Sequence, residues 1–122
     1  MSNDSSLASP LADPVLVITR EGMGSADTPL QHKLLAKYLK LLVENGSLPA
    51  AICFYTDGVK LVVEGSPQLD RLSELEKKGV RLIICSTCLD YFGLTDKVRV
   101  GFVGGMPDIL EAQTRASKVV TL

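Results

Sequence analysis

Gly79-Val80-Arg81-Leu82-Ile83-Ile84-Cys85-Ser86-Thr87-Cys88-Leu89-Asp90-Tyr91-Phe92-Gly93 decides the fold. Its first half is a short apolar run behind a glycine, the mark of a buried strand. Its second half is helix-like and ends on another glycine. Cys85 therefore stands where a strand ends and a helix begins. That edge of an α/β sheet is where ligands and chemistry collect. A helix N-terminus there favours a thiolate, the reactive form of cysteine.

Outward from this unit the same alternation repeats. Val15-Leu16-Val17-Ile18 predicts a first strand, opened by Pro14. A helix follows from an N-cap at Asp27 or Thr28, with Pro29 in its first turn. Leu30, Leu34, Tyr38, Leu41 and Leu42 form its expected apolar stripe, widened by Leu35 and Val43, and Asn45-Gly46 stops it. Ala50 to Tyr55 reads as strand two, and Val59 to Glu64 as a short helix. Ser66-Pro67 then caps a longer helix with Leu69, Leu72 and Leu75 inward. Thr87 to Phe92 is a short helix, and Val98 to Val103 strand four. A last helix is expected over 108–116, behind Gly104-Gly105-Met106-Pro107. Lys118 to Leu122 is strand five.

The strands are apolar on both faces, which requires a parallel sheet covered by helices on both sides. The fold class expected is α/β, a three-layer α/β/α sandwich around a five-stranded, mainly parallel sheet. Right-handed crossovers bring the loops at 22–28, 56–58, 85–88 and 104–107 to one edge.

The 122 residues suit one domain, and a 46% hydrophobic content is ample for its core. Residues 1–13 are small, polar and proline-containing, and read as a disordered tail; the domain is 14–122. A formal net charge of −1, with scattered Lys and Arg, excludes a phosphate-neutralising nucleic-acid binder. With 5% aromatic residues and no Trp, base-stacking platforms are excluded as well. No apolar stretch approaches the ~20 residues that span a bilayer, so no membrane role is expected. The first 14 residues lack the features of a signal peptide. Three cysteines in such a chain imply a reducing cytoplasm, where a close pair points to redox, sulfur or metal chemistry.

Cys85 and Cys88 have C-x-x-C spacing, which places both thiols at one small volume. A persulfide carrier, a dithiol redox pair and half of a zinc site all fit that spacing. Two small side chains packing under a loop is the bland alternative. Zinc needs three or four ligands, and the one histidine, His32, lies far off on the first helix as an expected surface residue. No metal and no cofactor is therefore expected. Mid-strand Cys53 reads as a buried structural thiol. Gly24 and Ser25, in the loop Gly22-Met23-Gly24-Ser25, are weak candidates for holding an anion through backbone N–H groups. Asp57 and Gly58 follow strand two, and Ser86 and Thr87 lie between the cysteines; these four complete the candidate substrate-binding set.

The order Phe54-Tyr55-Thr56-Asp57-Gly58-Val59-Lys60-Leu61, Glu64-Gly65-Ser66, Gly79-Val80, Cys85 to Leu94 and Ala116 to Leu122 resembles the DsrE-like domain of YedF-type proteins. Those proteins are sulfurtransferase-like and associated with selenium metabolism. The resemblance runs from about residue 14 to 122. It implies an α/β/α domain in homo-oligomers, trimers first and dimers next. It implies a persulfide on Cys85, with Cys88 matching the second cysteine of the YedF-like branch. YedF-type proteins carry a TusA-like sulfur-carrier domain on the same chain, so the resemblance implies such a partner in trans.

The expected function is a small cytoplasmic sulfur-handling protein, a sulfur carrier or sulfurtransferase-like. Cys85 attacks a persulfide donor, and Cys88 resolves the product or stabilises it by S–H donation. Cys85 is expected to be the fastest thiol and Cys53 the slowest. A dithiol redox protein or sensor using the same pair is the first alternative, and a non-catalytic oligomeric binding module is the second.

Overall fold

The computed structural model describes residues 14–122, so the expected tail, 1–13, lies outside the described residues. Five strands form one sheet: β1 Val15–Ile18, β2 Ala51–Phe54, β3 Arg81–Cys85, β4 Phe102–Gly104 and β5 Val119–Thr121. Their order is β4-β3-β2-β1-β5, and every pairing is parallel. Four helices connect them: α1 Thr28–Glu44, α2 Leu69–Lys77, α3 Ser86–Phe92 and α4 Met106–Arg115. A 3-10 helix, Thr56–Val62, follows β2, and a second, Thr95–Lys97, precedes β4.

The first three crossovers step the sheet in one direction, and the last returns across it. Right-handed connections therefore place α1, α2 and α3 on one face and α4 on the other. Register agrees with this. Val15, Ala51 and Arg81 stand opposite one another on neighbouring strands. Together they line a groove with Glu111, Ala112 and Arg115 of α4. The three layers are those expected. The core is the central strands plus Leu35, Leu39, Leu72, Leu75, Leu89 and Ile109.

The expected stripe of α1 is rotated. Leu35 and Leu39 are its fully buried residues, while Leu30, Leu34 and Leu41 face out, 42–52% exposed. The helix is apolar on two adjacent faces, and packing against the sheet and α2 selects one of them. His32 is half-buried rather than fully on the surface. Its Nδ1 is buried, and its carbonyl accepts a 3.0 Å bond from the amide of buried Gln68, ahead of α2.

Strand four starts later than expected. Val98 instead bridges antiparallel to Val63, and Arg99 N–H donates to the Val62 carbonyl at 2.9 Å. Gly101 then takes φ +79°, a left-handed turn that only glycine adopts cheaply, and the ladder begins at Phe102. The last helix begins at Met106, not Asp108. The Asp108 carboxylate reaches back to accept the Gly105 N–H at 2.8 Å, so Asp108 belongs to the first turn.

Candidate functional site

Parallel strands carry their C-terminal ends to one edge, and there β1, β2 and β3 bring three loops together. Gly58 allows the tightest approach. A Cβ at this position would overlap the Ile18 carbonyl, so the loop after β2 sits directly on the end of β1. Two residues earlier, Thr56 holds φ +48°, the one non-glycine among the described residues at positive φ. Its hydroxyl donates to the Thr19 carbonyl at 2.8 Å. Its N–H, turned by that conformation, donates to Cys88 Sγ at 3.0 Å. A β-branched residue adopts such a φ only where its surroundings impose it.

Cys85 ends β3 and is the N-cap of α3, as its position predicts, but its side chain makes no capping bond. It is 2% exposed. Cys88, one turn later, is half-buried and lines a cavity of about 270 Å³ with Thr56, Asp57, Thr87, Tyr91 and Phe92. Burial pushes the Cys88 thiol above its ordinary pKa; the Thr56 N–H opposes this, and a hydrogen bond to Cys85 adds to it. The Thr56 N–H is thus the geometric donor on Cys88 Sγ, and Cys85 is the neighbouring thiol that adds to the upward push on Cys88. The backbone donor at the pair comes from the loop after β2, not from α3. Cys88 is the more accessible thiol of the pair, and Cys85 is buried.

A second cavity, about 350 Å³, adjoins the first through Asp57 and is otherwise lined by Arg20, Glu21, Thr28 and Gln31. Lys60 stands between them. Its ammonium lies 2.9 Å from Asp57 Oδ1, 3.8 Å from Glu21 Oε2 and 4.5 Å from the centre of the Phe92 ring. The hydrogen bond to Asp57 holds the Lys60 pKa above its ordinary value.

A family model described as the DsrE/DsrF-like family matches residues 14–122. The chain belongs to this family. Solved structures share its fold. The YchN protein of E. coli is 16% identical, with TM-score 0.66, over 90% of this chain and 99% of its own. MTH1491 of Methanobacterium thermoautotrophicum is 23% identical, with TM-score 0.68, over 90% and 98%. BT1422 of Bacteroides thetaiotaomicron is 17% identical, with TM-score 0.60, over 90% and 95%. No curated protein matches the chain.

Of the expected site residues of this DsrE/DsrF-like domain, the cavity beside Cys88 gathers Asp57, Thr87 and Cys88. Cys85 lies behind Cys88. Gly58 is buried and serves packing. Ser86 is exposed and lines neither cavity at this edge. Gly24 and Ser25 also line neither; the Gly24 carbonyl accepts from Arg20 Nη1 at 3.4 Å. Sequence reasoning missed Thr56, Lys60, Arg20, Tyr91 and Phe92. The signals available were a threonine ahead of Asp57-Gly58 and an aromatic pair ending the cysteine helix. Cys53 is fully buried, and burial pushes its thiol from 9.0 up to about 11. Among the described residues no cluster of three or more His, Cys, Asp or Glu could hold a metal ion. No helix there is long and apolar enough to cross a membrane.

Proposed function

We propose that this DsrE/DsrF-like protein handles sulfane sulfur at the Cys85–Cys88 pair, as a carrier or sulfurtransferase-like protein of the reducing cytoplasm. The observation that carries this is the C-x-x-C pair at the end of β3, with Cys85 at the N-cap of α3 and the Thr56 N–H fixed on Cys88 Sγ at 3.0 Å. Burial holds the Cys88 thiol above its ordinary pKa and so favours its protonated form. Cys88 lines the cavity and Cys85 is 2% exposed, so this reading requires the Cys88 side chain to move aside for a donor.

The chemistry balances without an oxidant. The Cys85 thiolate forms a bond to the outer sulfur of a donor persulfide. The donor's own S–S bond breaks, its electron pair leaves on the inner sulfur, and that sulfur takes up the proton Cys85 gave up. The persulfide on Cys85 then accepts the Cys88 S–H bond. Attack by Cys88 on Cys85 Sγ releases hydrogen sulfide and leaves a disulfide; a thiol acceptor instead removes the outer sulfur and restores the pair. A YedF-type affinity and a TusA-like partner in trans that takes the sulfur onward belong to the same reading, on the motifs from Phe54 to Leu94.

Peptide mapping after exposure to inorganic polysulfide tests it. One added sulfur on the Cys85 peptide is expected. Cys85→Ser abolishes the adduct, and Cys88→Ser prolongs its life. Loading that survives Cys85→Ser contradicts the assignment. Rapid loss of two hydrogens with no sulfur added favours the dithiol redox reading, for which the C-x-x-C spacing of the two thiols is the supporting observation.

A further inference from the structure

The polar cavity beside the cysteine cavity has no part in the sulfur exchange itself, and its charges are arranged in opposition. Arg20, Glu21 and Asp57 all line it. Asp57 is neutralised by Lys60 at 2.9 Å, whereas Glu21 meets Lys60 only at 3.8 Å. Arg20 donates one long bond, 3.4 Å, to the Gly24 carbonyl, and it has no carboxylate partner among the described residues. The Gln31 Oε1 is already taken by the Ala26 N–H at 3.0 Å. Among the described residues the cavity thus offers a guanidinium without a carboxylate partner and a weakly paired carboxylate. A simple anion would meet Glu21, and a simple cation would meet Arg20. A zwitterion satisfies both.

We propose that this cavity recognises the α-amino-acid headgroup of a small aminothiol, so that the protein's sulfur donor is the persulfide of a free amino-acid thiol of the cysteine type. The carboxylate lies against Arg20 and the ammonium against Glu21. The thiol end passes Asp57 into the apolar cavity at Cys88. The linkage between the two ends is short: Thr56 donates its N–H to Cys88 Sγ and its hydroxyl to the carbonyl of Thr19, the residue before Arg20. The exchange is the balanced one above. The outer sulfur passes to Cys85, and the amino-acid thiol leaves with the proton. A persulfide borne on a protein has its amino and carboxyl groups in peptide bonds and cannot use this cavity.

This inference rests on the sulfur-handling reading for its donor, but its test separates the two. Persulfides of cysteine, of cysteamine (no carboxylate) and of 3-mercaptopropionate (no ammonium) are compared with inorganic polysulfide, on the full chain and on Arg20→Met and Glu21→Gln. Both side chains are at the surface, and unchanged melting temperatures confirm folding. Cysteine persulfide should load the wild type roughly tenfold faster than either truncated analogue, the scale of one charge-assisted contact. Arg20→Met should erase the advantage over cysteamine persulfide, and Glu21→Gln that over 3-mercaptopropionate persulfide. Polysulfide loading should stay within about twofold in all three proteins. Equal loading by all donors, or equal slowing of all donors by Arg20→Met, overturns the headgroup site and leaves sulfur handling standing. Titration with S-methylcysteine, followed by the amide resonances of residues 20–31, reads the headgroup site alone. Shifts seen in the wild type and lost in Arg20→Met support it even if no donor loads, and absence of wild-type shifts overturns it.

Discussion

Thr56 holds φ +48°, a conformation that costs a β-branched residue on the order of 1–3 kcal/mol. The hydroxyl bond to Thr19 offsets part of this, and the outcome is a backbone donor fixed on Cys88. The strain thus sits where the proposed chemistry sits. Cys53 shows the opposite use of a thiol. It is mid-strand, without a donor aimed at it, and burial raises it to about 11. Because the folded-state pKa lies above the unfolded value near 9, the unfolded chain releases this proton first as pH rises. The Cys53 contribution is complete below pH 9 and is lost between pH 9 and 11, on the order of 2–3 kcal/mol in all. Urea midpoints of the wild type and Cys53→Ala, followed from pH 8 to 11.5, should converge over that window. Parallel curves would show that Cys53 ionises alike in both states.

At the scale of elements, the cysteine edge depends on how closely the loop after β2 sits on β1. Gly58→Ala drives a methyl group into the Ile18 carbonyl, backbone against backbone, which neither side relieves cheaply. A loss of about 2–4 kcal/mol in chemical denaturation is expected, with slower alkylation of Cys88 as the Thr56 N–H that lowers its pKa is lost. A loss under about 0.5 kcal/mol would mean that the loop shifts freely. Strand β3, the cysteine pair at its end and the parallel order were legible because an apolar run against a glycine and a C-x-x-C are local signals. The buried side of α1 was not. Leu30 and Leu34 are as apolar as Leu35 and Leu39, and the choice between them is made by tertiary packing. The late start of β4 hangs on the Val63–Val98 bridge and on Gly101, a pairing 35 residues apart (98 less 63) that no local pattern carries. The Thr56–Cys88 bond was hidden for the same reason, its partners lying 32 residues apart.

At the scale of the molecule, apolar surface is left on two sides. Leu30, Leu34 and Leu41 line the outer face of α1, and Met106 and Leu110 project from α4. Such surface on a 13.1 kDa chain favours self-association. Light scattering at micromolar concentration should give a multiple of 13.1 kDa, three copies first and two next. Leu34→Lys or Leu110→Lys should lower it, according to which face is used. A wild-type mass of one chain would contradict this. The central claim is that Cys85 carries sulfur, and the mass of the intact protein, purified without reductant and then exposed to a sulfane-sulfur donor, tests it most directly. The account predicts a species heavier by one sulfur atom, reverting to the unmodified mass on reduction and missing in Cys85→Ser. A chain that never gains sulfur, or gains it equally without Cys85, would contradict the account.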